Sequence, residues 1–293
     1  MNRRHVIFPL LLLAAGCSGT PTGPAAAITT STLNTPPVIG VLTVQGTRSK
    51  EPPNFADVSE RVPVSVEVTD AELNVNDFQY IWTATLGTIS GTGRNVIWTA
   101  PATVNAPTVV SLNVEAVETY TSQGKARENR VSRSVTLSLH DSIKEVSDLS
   151  RQFLVDFSNS DLPTDTVMRH FQPGCYGTDN ETYDVNRNRQ DYRIMSWTVD
   201  APVTTVSFGS VCPIPTRNTV QGDACSRVHT DWRSMAVRDL DGMARGQLAE
   251  AHGTDYISAF YYRDQKRWRL CDSQYILDPS TPPRTQLLRS LVP

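Results

Sequence analysis

The sequence predicts a two-domain chain: an all-β sandwich over residues 38–140, followed by an α+β domain over residues 141–293 in which helices precede a curved antiparallel sheet. Three observations carry that expectation. Short runs rich in Val, Thr and Ile alternate with period two through the first half, with no helical period between them. Near Asp141 the apolar period changes to that of an amphipathic helix. Apart from Cys17, every cysteine lies beyond that point, at Cys175, Cys212, Cys225 and Cys271. A chain of 293 residues, 39% hydrophobic and 19% charged, can bury a core in each half. Its formal charge of -3 and its lack of a long basic run argue against nucleic acid as a partner.

Residues 1–16 have the layout of a secretory signal. Arg3 and Arg4 precede the apolar run Val6 to Ala15, small residues follow, and the run is too short to span a bilayer as a helix. The stretch Leu13-Ala14-Ala15-Gly16-Cys17 resembles the lipobox of bacterial lipoproteins, with alanine where the family most often has a branched aliphatic residue. The resemblance implies that Cys17 becomes the mature N-terminus, with diacylglycerol on its thiol and an acyl chain such as palmitate on its amine. Two or more acyl chains anchor firmly where one holds only marginally. Ser18 stands where the family's inner-membrane retention signal is aspartate, so the expected location is the cell envelope at the outer membrane. Residues 17–37, rich in Thr, Pro, Ala, Gly and Ser, lack a hydrophobic period and read as a disordered tether.

The strands expected next are Val62 to Val68, Phe78 to Thr85, Asn95 to Trp98, Val109 to Val117 and Val131 to Leu139. In the first, Val62, Val64, Val66 and Val68 share one face while Ser65 and Glu67 lie on the other. The segments Val68-Thr69-Asp70-Ala71-Glu72, Tyr80-Ile81-Trp82-Thr83-Ala84, Gly87-Thr88-Ile89-Ser90-Gly91 and Val96-Ile97-Trp98-Thr99-Ala100-Pro101 resemble bacterial immunoglobulin-like modules of the polycystic-kidney-disease (PKD) type. That likeness implies an immunoglobulin-like sandwich. It lacks a cysteine pair, so packing alone must hold it, with Trp82 and Trp98 as anchors. Asp70, Glu72, Asn74, Asn76 and Asp77 gather the oxygens a calcium ion needs, but the favoured reading is a polar loop between strands whose Asx side chains mimic turn hydrogen bonds. The family's loop usually has Gly-Asp after the acidic pair where this chain has Leu73-Asn74-Val75-Asn76-Asp77, and no metal is assigned.

In the second half, Ile143, Val146, Leu149, Phe153, Leu154 and Phe157 predict an amphipathic helix, and Asp161 to Phe171 a shorter one with Pro163 near its start. Strands are expected at Tyr192 to Val199, Thr204 to Val211, Arg233 to Arg238 and Gly246 to Ala251, then a hairpin from Tyr256 to Cys271 turning at Asp264-Gln265-Lys266. Helices followed by a curved sheet that ends in a hairpin with Trp268-Arg269-Leu270 are similar in element order to the nuclear-transport-factor-two-like, or SnoaL-like, cone. A cystatin-like sheet and a family-specific lipoprotein domain are competing readings. With Cys17 assigned to lipid, the remaining four cysteines predict two disulfides in an oxidising compartment. Three pairings are open. The favoured one joins Cys212 to Cys225 around Pro213, Pro215 and Gly222, leaving Cys175 for Cys271. A structural zinc site would want a C-x-x-C spacing that the chain lacks.

Motifs with a catalytic mechanism are absent: no H-E-x-x-H, no G-x-S-x-G and no G-x-x-x-x-G-K. His170, His229 and His252 could act with Asp156, Asp231 or Glu250 as general acid and base, but their spacing matches no triad. The H-x-D spacing of His229 and Asp231 places two ligand types on one strand face and names no third. No catalytic residue, metal ligand or cofactor is assigned. Tyr261, Tyr262, Arg263, Lys266, Arg267, Trp268 and Arg269 concentrate rings and cations on the last hairpin. Of these, Tyr262, Arg267 and Trp268 are the candidate contacts for a glycan or an envelope protein. The competing reading buries the rings on one strand face and sets the cations to guard the edge. The expected function is a lipid-anchored envelope protein acting as a non-enzymatic binding or structural module. The alternative is a cone-fold pocket enzyme using acid-base chemistry on a small hydrophobic substrate, and the interior of the second domain distinguishes the two.

Overall fold

The computed structural model describes residues 34–48, 51–72, 77–105, 107–199, 205–209, 211–212 and 220–279. The signal segment, Cys17, most of the tether, and Asn74 and Asn76 lie outside the described residues.

The described residues of the first half form eight strands: β1 (Val38–Val44), β2 (Phe55–Asp57), β3 (Arg61–Thr69), β4 (Gln79–Ala84), β5 (Thr88–Ser90), β6 (Asn95–Thr99), β7 (Thr108–Ser122) and β8 (Lys125–His140). They make two four-stranded sheets, ordered β1-β3-β6-β5 and β2-β8-β7-β4. All pairings are antiparallel except β2 with β8. The alternation in β3 does what the sequence implied, turning Val62, Val64, Val66 and Val68 into a core completed by Val110, Leu112, Val114 and Ala116 of β7. Each valine or leucine among them stabilises by about 2 kcal/mol on burial. Trp98 is fully buried and donates its indole N–H to Leu86 O at 2.8 Å. Trp82 is only half-buried at the margin of this core, its N–H bonded to Gly93 O at 2.9 Å.

The β7–β8 hairpin runs farther than the sequence indicated, to a two-residue turn at Gln123 and Gly124, both with positive φ (53 and 71). Its outer rungs pair Glu118 with Asn129 and Thr119 with Glu128, so the apolar alternation that marks a strand is missing there. Among the described residues no helix is long and apolar enough to cross a membrane.

From β8 the chain passes directly into α1 (Ser142–Ser158), capped by Asp141, whose carboxylate accepts the Lys144 N–H at 3.1 Å. Then follow α2 (Thr164–Met168) and α3 (Thr178–Asp191). The third helix was not expected. Its apolar residues are Val185, which is buried, and Tyr183, which is exposed, so no period announces it. The remaining strands are β9 (Tyr192–Val199), β10 (Thr205–Phe208), β11 (Val211–Cys212), β12 (Val220–Gln221), β13 (Ala224–Ala236), β14 (Leu248–Tyr262) and β15 (Arg267–Leu277). The main sheet runs β10-β13-β14-β15, with β9 also on β13, while β11 and β12 form a small ribbon. Register shifts at Arg233/Ser234 and Ser258/Ala259 are the irregularities that bend such a sheet.

The strand expected at Arg233 to Arg238 is the end of β13, which begins at Ala224. The inward face of β13 interleaves Ala224, Val228 and Trp232 with Ser226, Thr230 and Ser234, and small polar residues in a core position blur the alternation. Two disulfides brace this half. Cys175 joins Cys271 of β15 across 96 positions with Cα atoms 5.4 Å apart, and Cys212 of β11 joins Cys225 of β13 across 13 positions at 5.1 Å. Loop-closure entropy makes the longer closure the stronger brace, about 4–5 kcal/mol against about 3 kcal/mol. Replacing Cys175 and Cys271 together by serine should therefore lower the urea unfolding free energy more than replacing Cys212 and Cys225, and the reverse ranking would contradict the entropic account.

Candidate functional site

Helix α1 lays Val146, Phe153, Leu154 and Phe157 on the sheet face formed by Val228, Trp232, Ile257, Ala259 and Leu270. These side chains form one hydrophobic cluster. The space lined by Phe157, Asn188, Ile194, Trp232, Ser234, Ala251 and Tyr275 has a volume of about 20 Å³, room for one water and for no substrate. The interior does hold a carboxylate. Asp255 of β14 is fully buried and accepts from Thr230 Oγ1 at 3.0 Å; Thr230 Oγ1 in turn accepts the Trp232 indole N–H at 2.9 Å. Tyr275 O–H donates to Thr230 O at 3.1 Å.

Each described histidine is held by a carboxylate. His170 Nε2 lies 2.7 Å from Asp156 Oδ2, which also binds Arg169 at 2.9 Å, while Gln152 donates to Oδ1 at 3.0 Å. Burial pushes His170 below its ordinary value against the pull of Asp156. Burial would raise Asp156, but the hydrogen bonds from His170 and Gln152 and the charge of Arg169 outweigh it. His252 Nδ1 lies 2.7 Å from Asp231, His229 Nε2 lies 3.1 Å from Asp278, and His140 Nδ1 lies 3.0 Å from Glu145. Thus His229 and Asp231 share a face of β13, as the spacing implied, yet turn to different partners. Glu250 pairs with Arg233 at 3.6 Å. Among the described residues no three His, Cys, Asp or Glu side chains are grouped to hold a metal. In the acidic loop, Asp70 accepts the Glu72 N–H at 2.8 Å, the local bond of an Asx turn, and Glu72 accepts from Thr35 Oγ1 at 2.7 Å.

The last hairpin separates the three candidate contacts. Trp268 is 4% exposed, with Tyr261 on one side at 5.5 Å between ring centroids, so its face is not offered to a glycan. Inward alternation along β15 takes Trp268 and Leu270 into the core and leaves Arg267 outside. Tyr262 and Arg267 oppose each other at the turn end of the hairpin, half-buried and exposed respectively, with Arg267 Nε bonded to Gln265 Oε1 at 3.1 Å.

A convergence of side chains around Arg48 was not predicted. Arg48, in the loop after β1, places its guanidinium 4.3 Å from the Phe208 ring centroid, 5.4 Å from Phe55 and 5.9 Å from Trp268. Its Nε donates to Asp57 Oδ2 at 2.8 Å. Phe55 stacks on His140 at 4.3 Å and meets the edge of Tyr261 at 4.9 Å. Beside this cluster a groove of about 280 Å³ is lined by residues that include Thr47, Asp57, Glu60, Asp141, Ile143 and Phe208. Its carboxylates are already engaged: Asp57 Oδ1 accepts the Ser142 N–H at 2.9 Å, and Glu60 accepts the N–H groups of Thr47 and Asp57.

No protein-family model, curated protein or solved structure matches the chain.

Two measurements probe these clusters. Arg48→Ala removes the cation from three rings and leaves Asp57 with an unbalanced charge, and should lower unfolding free energy by about 3 kcal/mol. Arg48→Lys should recover only part of this, because an ammonium does not stack. Equal stability of all three proteins in urea would refute the role. Separately, Asp272 of β15 is pushed up to about 6 by burial, with Asp184 adding to the effect. Its contribution is therefore present below its ordinary 3.8 and is lost as pH rises through 6. Asp272→Asn should raise the melting temperature at pH 7.5 and leave it unchanged near pH 3.

Proposed function

We propose that this chain is a lipid-anchored protein of the cell envelope, held at the outer membrane through Cys17, that acts as a non-enzymatic binding or structural module. The observation that supports the non-enzymatic part is the packing of the α+β half around Trp232, where the space lined by Phe157, Ile194, Trp232 and Tyr275 has a volume of about 20 Å³. A site that buries a small substrate needs roughly 300 Å³ or more. The order β1-β3-β6-β5 against β2-β8-β7-β4, with β2 parallel to β8, supports an immunoglobulin-like module. In this reading the sandwich is the membrane-proximal spacer and the disulfide-braced domain meets an envelope protein or glycan through exposed side chains such as Tyr262 and Arg267. No cofactor is needed.

One observation favours the second reading, a cone-fold enzyme: the inward carboxylate of Asp255, with Thr230, Trp232 and Tyr275 around it. A general base must reach a substrate proton within hydrogen-bond distance, so this chemistry requires the interior to open. Two experiments separate the readings. Cys17→Ser should move the protein from the membrane to the soluble periplasmic fraction; retention on the membrane would reject the lipid anchor. Purified protein should show no turnover of ester, glycoside or peptidoglycan substrates. Turnover abolished by Asp255→Asn, with circular dichroism unchanged, would establish the enzyme instead.

A further inference from the structure

The outward face of the last hairpin carries more than Tyr262 and Arg267. Directly opposed residues of antiparallel strands share a face, and the register pairs Tyr262 with Arg267 and Phe260 with Arg269. Two rings on β14 therefore stand beside two guanidiniums on β15. The intervening residues Tyr261, Trp268 and Leu270 turn the other way, into the hydrophobic cluster, to which neither Phe260 nor Tyr262 belongs. All four outward side chains keep some exposure, Arg267 the most.

The two guanidiniums are held together without a counter-charge. Gln265 Oε1 accepts from Arg267 Nε at 3.1 Å and from Arg269 Nε at 3.4 Å, while the same carboxamide donates to Gln172 Oε1 at 3.1 Å. Arg269 also donates to the Arg169 carbonyl. Among the described residues every hydrogen-bond partner of this arginine pair is neutral. Burial first, then the charge of Arg267, pushes Arg269 below its ordinary value. Nearby carboxylates do not restore the balance. The hairpin turn sets Arg263 and Lys266 against Asp264 alone. Asp156 is taken by Arg169 and His170, Asp223 accepts the Tyr261 N–H at 3.2 Å, and Asp272 turns to Tyr176. Outside the described residues the sequence has one acidic side chain, Asp200. Its neighbour Val199 pairs with Thr230, opposite Gly253 and far along β14 from Phe260.

Cations that merely guard a sheet edge have no need to converge. This pair does converge, and like charges so placed repel each other unless an anion joins them. The surroundings select the kind of anion. A peptide that adds itself as a strand needs a free sheet edge. Beside Leu270 the edge is occupied, since Leu270 N–H bonds His170 O at 3.0 Å and Leu270 O accepts the Gln172 N–H at 2.8 Å. On the other side β14 pairs with β13, and the Asp223 N–H bonds Ala259 O at 2.9 Å. What remains is a face of rings and guanidiniums. Aromatic faces stack on the apolar faces of sugars, and a guanidinium fork takes a carboxylate in bidentate fashion.

Building on the binding-module reading, we propose that Phe260, Tyr262, Arg267 and Arg269 form a site for an acidic glycan, with sugar units on the two rings and a carboxylate of the glycan on the paired guanidiniums.

Calorimetric titration of the intact chain at low salt with tetragalacturonate, a carboxylated tetrasaccharide, tests the site against uncharged maltotetraose and the acidic peptide tetraglutamate. Tetragalacturonate should bind about tenfold tighter than either control and lose affinity at high salt. Replacing Arg267 and Arg269 together by alanine should weaken it about tenfold or more, with circular dichroism unchanged, because charge-assisted hydrogen bonds are lost. Tyr262→Ala should weaken it about threefold. Amide NMR of the wild type needs no variant: shifts induced by tetragalacturonate should centre on residues 260–269. No binding, equal affinity for either control, equal affinity of the arginine variant, or shifts centred elsewhere would overturn the site. Each of those results leaves the non-enzymatic reading standing, because only turnover rejects it.

Discussion

The Arg48 guanidinium, placed among Phe55, Phe208 and Trp268 and bonded to Asp57, is the contact on which the relation of the two halves depends. A cation taken out of water is costly unless paired and hydrogen-bonded. Arginine suits the position because its planar charge is weakly hydrated and stacks on rings. Asp57 multiplies the effect. One of its oxygens holds Arg48 and the other receives the first N–H of α1, so one carboxylate ties the loop, β2 and the helix together. His140 and Ser142 are buried where β8 gives way to α1. The change of period near Asp141 is therefore a change of secondary structure without an exposed linker, and bending there would have to break the ring cluster as well.

What the sequence made legible is what burial writes periodically. The valines of β3 alternate because one face of a strand meets a core, and Val146, Phe153, Leu154 and Phe157 recur at helical spacing because one face of α1 does. Where burial relies on other chemistry the pattern fades. Helix α3 buries Thr178 and Glu181 beside Val185, with Thr178 Oγ1 donating to Gln172 O and Glu181 accepting the Ser273 N–H, so its docking is hydrogen-bonded and not apolar. On β13, Ser226 meets Ser150 of α1 at 2.6 Å, a buried hydroxyl pair where a hydrophobic residue would have announced the strand.

The site followed the same division. Strand alternation in the last hairpin already offered the competing reading, rings buried on one face with cations guarding the edge, and the structure agrees with it at Trp268. Arg48 could not be read. It sits in the run Thr47-Arg48-Ser49-Lys50-Glu51, which looks like a solvated turn, and its ring partners come from β2, β10 and β15. Pairing of each described histidine with a carboxylate was equally hidden, because Asp156, Asp231 and Asp278 reach their partners through the fold and not through spacing.

The interior of the α+β half shows why a buried carboxylate is weak evidence for catalysis. Asp255 accepts from Thr230, Thr230 accepts from Trp232, and Tyr275 donates to the Thr230 carbonyl, so the polar atoms satisfy one another inside the packing. Such a chain specifies one arrangement of the sheet, since shifting any member leaves a buried donor or acceptor unmet. A catalytic carboxylate needs the opposite condition: an acceptor directed at empty space where a substrate proton will arrive. With about 20 Å³ free beside Phe157, Trp232 and Tyr275, space for that arrival would have to come from moving a ring, and Trp232 is held by Trp197 at 5.5 Å in a stack and by Phe157 at 5.5 Å edge-on. The same hydrogen bonds that make Asp255 conspicuous therefore oppose the motion that would put it to chemical use.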